Sequence, residues 1–277
     1  MLEAALEPFA RMAVQDGREL RLDRGALEIA RVAHPDLEAG PWLERLDRLA
    51  ERTWSRRRSA EGPLEFVGLL NRSLFRDEGF RGDRASYYSP RNSCLNDVLQ
   101  RRSGIPITLA VVYLEVSRRL GLPVAGIGFP GHFLIRAREG DRELLLDPFD
   151  GGRTLTPDDC QHRLDRVFGA GVELDPRFLQ TVDRRQILTR VLRNLKRAYL
   201  SRRDSKRALA VVERLLALRP DLAEELRDRG KLLLRHGRTR RGADDLQAYL
   251  DRVPGAVDGR EIRLLLSRLR RAQARVN

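Results

Sequence analysis

Two side chains suited to acid–base chemistry stand fifteen residues apart in the stretch FPGHFLIRAREGDRELLLDPFDGG. His132 opens one predicted strand and Asp147 closes the next. An imidazole held by a carboxylate makes two thirds of a catalytic triad. The carboxylate orients the ring, and the ring takes a proton from a nucleophile. That nucleophile must come from elsewhere in the chain. Two thiols exist, Cys94 and Cys160. Cys94, in NSCLNDVL, reads as a small buried hydrophobe on a helix. Cys160, in PDDCQHR, lies in a polar segment that starts a helix. With His162 it offers two metal ligands and no third, so no metal site is expected. Thr108 and Ser103 flank a helix start and read as capping or packing groups. His34, His162 and His236 stand alone and read as surface or packing residues. No Gly-rich phosphate loop, Cys-x-x-Cys pair or His-Glu-x-x-His element occurs, and no cofactor is expected.

A His and an Asp on neighbouring strands need a scaffold, and the middle of the chain, residues 101–175, has one. IPITLAVVYLEVSRRLGLPV predicts a buried helix with clear punctuation. Pro106 suits the first turn, where its missing N–H costs nothing. Gly121 suits the left-handed position just past the end, and Pro123 prevents continuation. VAGIGF predicts a strand, and HFLIRAR–EGD–RELLLD a hairpin. The order is therefore helix, strand, strand, strand. A pocket at the PGH and DPFDGG loop ends would be lined by Phe129, Phe133 and Phe149. The preceding RGDRASYYSPRNS reads as a loop. Either it is a rigid connection in which Asn92 and Ser93 cap the next helix, or Tyr87, Tyr88 and Asn92 line a groove.

Flanking regions are helical. Residues 1–100 carry apolar positions at three- and four-residue spacing, as in Leu43, Leu46, Leu49 and Ala50. Residues 176–277 repeat: Pro220 and Pro254 lie 34 apart, the small Ala208 and Gly242 stand twelve before each, and the apolar Val212 and Leu246 eight before each. Gly230 adds a small residue twenty-four before the second proline. The period and the small residues at a helix crossing resemble tetratricopeptide repeats, over 187–220 and 221–254, with GREIRLLLSRLRRAQ as a capping helix.

Composition limits the ligand. The net charge is +13, but only Lys196, Lys206 and Lys231 among 53 basic residues are lysine. So lopsided a ratio looks like genomic composition. The arginines are interleaved with Asp and Glu, the pattern of solvated helix faces. Nucleic acid is therefore not expected as the ligand. No apolar run approaches the roughly 18 residues of a membrane span. Two cysteines are too few for a disulfide framework, and the N-terminus lacks a signal-peptide pattern, so a cytoplasmic location is expected.

GFRGDRASYYSPRNSCLNDVLQRRSGIPITLAVVYLEVSRRLGLPVAGIGFPGHFLIRA, followed by LLLDPFDGG, resembles the bacterial SirB-type family. These are transglutaminase-like proteins with a helical N-terminal region and C-terminal tetratricopeptide repeats. The likeness is densest over 79–152. It implies a papain-type core, with the family's His at His132 and its Asp at Asp147. In active relatives a Gly-x-Cys element opens the core helix about fifteen residues before a Gly-[Ile/Leu]-Pro. Here the ending is GLP at 121–123, and fifteen residues before Gly121 stands Pro106. Proline has no nucleophilic atom.

The expected protein is α+β: a helical section (1–100) packed on a transglutaminase-like core (101–175), then helical repeats (176–277). The expected function is a non-catalytic, regulatory scaffold with a remnant His132–Asp147 pair, a pocket drawn from Asn92, Tyr88, Phe129 and Phe149, and a protein or peptide partner bound by the repeats. The alternative is a hydrolase or acyltransferase in which the pair activates another nucleophile or a water.

Overall fold

The computed structural model describes residues 6–15, 19–57, 62–169 and 171–273. The protein is α+β, as its pattern predicts. The helices are α1 (Glu7–Ala13), α2 (Leu22–Ala30), α3 (Gly40–Trp54), α4 (Pro63–Asn71), α5 (Leu95–Arg101), α6 (Pro106–Arg119), α7 (Pro157–Phe168), α8 (Arg184–Ser201), α9 (Ser205–Leu218), α10 (Ala223–Arg235), α11 (Thr239–Arg252) and α12 (Gly259–Gln273). A π-helical segment, Arg72–Asp77, continues α4. The strands are β1 (Arg81–Gly82), β2 (Ser103–Gly104), β3 (Val124–Ile127), β4 (Leu134–Glu139), β5 (Arg142–Asp147) and β6 (Arg153–Leu155). Among the described residues, no helix is long and apolar enough to cross a membrane.

Contacts group the chain into two units: Gln15–Asn194, and Met1–Val14 together with Leu195–Asn277. The boundary falls inside α8, so residues 176–194 belong with the core and the described residues 6–14 with the repeats. Phe9 and Ala13 explain the second grouping. They form the apolar side of α1, are buried, and pack with α9. The Arg214 guanidinium lies 5.9 Å from the Phe9 ring.

In the core unit α6 is buried almost throughout, from Pro106 to Ser117. It stops for the expected reason. Gly121 adopts φ +68°, and Leu122 N–H donates to Ser117 O at 3.0 Å and Gly121 N–H to Arg118 O at 3.2 Å. These are the two bonds of a Schellman ending, which satisfy carbonyls the helix leaves free. The sheet is an antiparallel meander, β3–β4–β5–β6, with Ile135 opposite Leu146 and Asp147 opposite Arg153. β6 went unforeseen, because three residues, Arg-Thr-Leu, carry too little alternation to signal a strand. His132 also sits outside the strand expected for it, in the turn before β4.

In the repeat unit, α10 and α11 cross where the sequence supplies glycine. A Cβ added to Gly230 would lie 2.9 Å from Gly242 O, and one added to Gly242 would lie 3.0 Å from Gly230 O. Arg229 grips Asp245 across this pair with two bonds, at 2.6 and 2.7 Å. A backbone oxygen cannot rotate away, so Gly230→Val should destabilise the repeats by about 1–3 kcal/mol. Urea unfolding followed by circular dichroism reads this as a lower midpoint. An unchanged midpoint would mean that the two backbones do not touch.

Candidate functional site

The DPFDGG sequence builds a rigid corner after β5. Asp147 caps a 3-10 turn, Pro148–Asp150, accepting at Oδ1 from the N–H groups of Phe149 (2.9 Å) and Asp150 (3.3 Å). Gly151 and Gly152 take φ +66° and +74°, and Gly152 N–H returns to Asp147 O at 2.8 Å. Asn71 Nδ2 donates to Gly152 O at 2.6 Å. A second turn presents the imidazole: His132 N–H donates to Phe129 O at 3.0 Å, with Gly131 at φ +65°. Arg190, on α8, clamps this turn by donating to Phe129 O at 2.8 Å and His132 O at 2.5 Å.

These two corners bring the predicted pair together. His132 Nε2 lies 2.9 Å from Asp147 Oδ1. Asp147 is fully buried, and its Oδ2 accepts from Arg163 on α7. Burial alone would raise the Asp147 carboxyl. The His132 hydrogen bond and charge, the Arg163 charge and the Phe149 N–H more than offset that, and the carboxyl is held below its ordinary value. An ionised carboxylate only accepts, so Nε2 carries a proton and a neutral ring keeps its lone pair on Nδ1. Among the described residues nothing hydrogen-bonds Nδ1.

Aromatic rings stand beside this pair. The Phe149 ring meets His132 edge-on at 6.0 Å, and Tyr87 meets Phe149 at 6.0 Å. Arg84 lies 5.0 Å from the Phe149 centroid and pairs with Asp150 at 3.1 Å. Gly82 permits this stack, since a Cβ there would lie 2.6 Å from the Phe149 ring and 2.7 Å from its carbonyl oxygen.

Other candidates go elsewhere. Phe129 is fully buried in a cluster with Ile127, Leu134, Leu145, Leu155, Cys160 and Leu164. Phe133 is buried with Arg190 5.6 Å from its ring. Asn92 is fully buried and ties the loop internally. Its Nδ2 donates to Ser86 O at 2.7 Å, and its Oδ1 accepts from Arg101 at 2.6 Å. It caps nothing; Cys94 is the N-cap residue of α5. Tyr88 is 62% exposed and touches Tyr87 edge-on. Of the four residues expected to line a pocket, only Phe149 touches the His132 ring.

At the core helix, Pro106 occupies the first turn and is buried. Thr108 Oγ1 accepts the Ile105 N–H at 3.2 Å and lies 2.7 Å from Asn92 O, so its hydroxyl is engaged in capping. Cys94 and Cys160 are both fully buried. Burial pushes the Cys94 thiol up to about 12, with Asp97 adding to the rise. Burial also raises Cys160. Cys160 faces the core while His162 is exposed, so these two do not converge. His34 is not alone: its Nε2 lies 2.8 Å from Asp97 Oδ2.

Arg163 and Arg190 were missed from sequence. No local spacing marks either one among so many arginines.

The sequence profile of the Transglutaminase-like superfamily matches residues 41–193, and that of the Tetratricopeptide repeat matches 195–270. A UPF0162 protein of Xylella fastidiosa is 39% identical over 259 residues, covering 92% of each chain. A UPF0162 protein of Vibrio cholerae is 31% identical over 245 residues, 87% of this chain and 89% of that one. F-box only protein 21 of Mus musculus is 32% identical over 139 residues, 47% of this chain and 21% of that protein. No solved structure matches. With a superfamily profile spanning more than half its length and near-full-length relatives, the chain belongs to the UPF0162 family, a transglutaminase-like core joined to tetratricopeptide repeats.

Proposed function

We propose that this protein is a non-catalytic, regulatory scaffold. In this reading the transglutaminase-like core has lost its nucleophile and serves in recognition, and the repeats hold a protein or peptide partner. The observation that carries the reading is the start of α6, where the buried Pro106 stands at the position that the family pattern gives to the thiol. Both real thiols are buried, raised and outside the hydrogen-bond network of His132. His132, Asp147 and Arg163 then act as a buried strut that fixes the 129–132 and 147–152 turns, since buried polar groups must be paired. Helical repeats stack into extended concave surfaces suited to proteins. The match to a fifth of an F-box only protein supports a core that is reused as a module within larger chains.

A hydrolase or acyltransferase is the second reading. It draws on the unoccupied Nδ1 of His132, which would serve as base toward a water or a substrate hydroxyl.

A thiol-directed electrophile separates the two for the thiols. In native protein neither Cys94 nor Cys160 should label until the chain unfolds, because a buried, protonated thiol is inert. Selective labelling of either one that is lost in His132→Ala would overturn the scaffold reading. For the water-dependent alternative, ester and amide substrates should show no turnover that depends on His132.

A further inference from the structure

A second cluster of polar side chains lies in the core unit, apart from the His132–Asp147 network. His34 follows α2 in a turn fixed by its own N–H on Ala30 O at 3.0 Å and by Leu37 N–H on its carbonyl at 3.1 Å. Cys94 and Asp97 come from α5. Cys94 is its N-cap residue, with extended backbone, and Asp97 lies in its first turn. The His34, Cys94 and Asp97 ligand atoms all lie within 4.8 Å of one another. One imidazole nitrogen, one sulfur and one carboxylate oxygen are the donors that a divalent cation of the zinc class takes.

We propose that His34, Cys94 and Asp97 form a three-ligand site for Zn2+, with its fourth position open to water. Burial is graded across the site. Cys94 is fully buried, the Asp97 side chain is 4% exposed, and the His34 side chain is 41% exposed. The ion therefore enters past His34, and a water would complete a tetrahedral shell on that side. Asp97 is already oriented for the task. Its Oδ2 lies 2.8 Å from His34 Nε2, and its Oδ1 is held by Arg91 Nε at 3.1 Å. Such an outer partner fixes a ligating carboxylate.

Proton balance is simple. Zn2+ replaces the Cys94 thiol proton, which leaves for solvent. The proton that His34 Nε2 shares with Asp97 is exchanged for one on Nδ1, so a neutral ring presents its Nε2 lone pair to the ion. Each ion bound to neutral His34 releases one proton. None of the three residues belongs to the His132–Asp147–Arg163 network, so this site and the scaffold reading stand or fall separately.

Metal titration of the full-length, metal-stripped protein tests the assignment. Zn2+ is followed by competition with a chromophoric chelator, and Cd2+ by its thiolate charge-transfer absorption. One ion per chain is expected, with a charge-transfer band that Cys94→Ser abolishes and Cys160→Ser leaves in place. His34→Ala should weaken Zn2+ binding by more than about tenfold, since even loss of an outer partner costs about 10–100-fold. His34 is partly exposed, so its variant should keep the fold, and a thermal melt checks this. No saturable binding, a band that survives Cys94→Ser, or unchanged affinity in folded His34→Ala would each overturn the proposal.

Discussion

Asp147→Ala should remove about 3 kcal/mol of stability, the low end of the range for breaking a buried ion pair. The carboxylate is fully buried and serves four donors: His132 Nε2, Arg163 and the N–H groups of Phe149 and Asp150. Alanine leaves all four facing a void. The His132 and Arg163 side chains keep 13% and 18% exposure, which gives them some water and sets the loss at the low end. Asp147→Asn should cost less, because its amide oxygen can still accept from the turn. The sign of the pH effect follows from the direction of the shift. The folded carboxyl lies below its ordinary value, so its contribution is present above the unfolded value of about 4 and is lost as pH falls through the folded one. Urea midpoints of wild type and Asp147→Asn should therefore differ at pH 7 and converge in acid. A gap that stays constant down to pH 3 would mean that folding does not lower this carboxyl.

What the sequence made legible was local backbone chemistry. Pro106, Gly121 and Pro123 bound α6 because each acts through its own φ angle, and neighbours alter that little. The 34-residue register of Pro220 and Pro254 located the repeats. Gly230 and Gly242 revealed the α10–α11 crossing because only glycine permits that approach. His132 and Asp147 were readable as a pair because a hairpin with Gly140 at its turn folds one strand end back beside the other. What stayed hidden was the choice of charged partner. Arginine occurs in nearly every segment, so nothing singles out Arg163 for Asp147, Arg190 for the His132 turn or Arg101 for Asn92. Those choices are made by tertiary packing. The same applies to His34, which had no neighbour in sequence and found Asp97 sixty-three residues away. Aromatics at loop ends misled for a related reason: Phe129 was expected at a pocket and lies in the core, because an apolar ring beside a turn packs wherever the sheet leaves room.

Asp23 shows how far the solvated-face reading of the arginines falls short, and it carries the second large effect. Asp23 opens α2 and is fully buried. It accepts from Arg21 and Arg119 at 2.9 Å, from Arg118 at 3.4 Å and from Arg24 N–H at 2.8 Å. Arg118 and Arg119 form the last turn of α6, where cations also meet the negative end of the helix dipole. Glu115, raised chiefly by its own burial, shares the same guanidiniums at 2.8 Å. The network thus ties α2 to the C-terminal end of the helix whose N-terminal end holds Pro106. Burial pushes the Asp23 carboxyl up, but its guanidinium and N–H donors outweigh that and bring it from 3.8 down to about 2. A shift of that size amounts to about 2 kcal/mol at neutral pH, lost as pH falls from about 4 through 2. Asp23→Ala goes further, since it leaves Arg119, only 10% exposed, short of a counter-charge; the expected loss is about 3–5 kcal/mol. Asp23→Asn should lose less, yet should flatten the acid limb of the stability curve. Equilibrium unfolding at pH 7 and pH 3 checks both. If Asp23→Ala melts within a degree of wild type, the arginines are held by solvent and Glu115 alone, and the sequence reading of them as surface charge would stand.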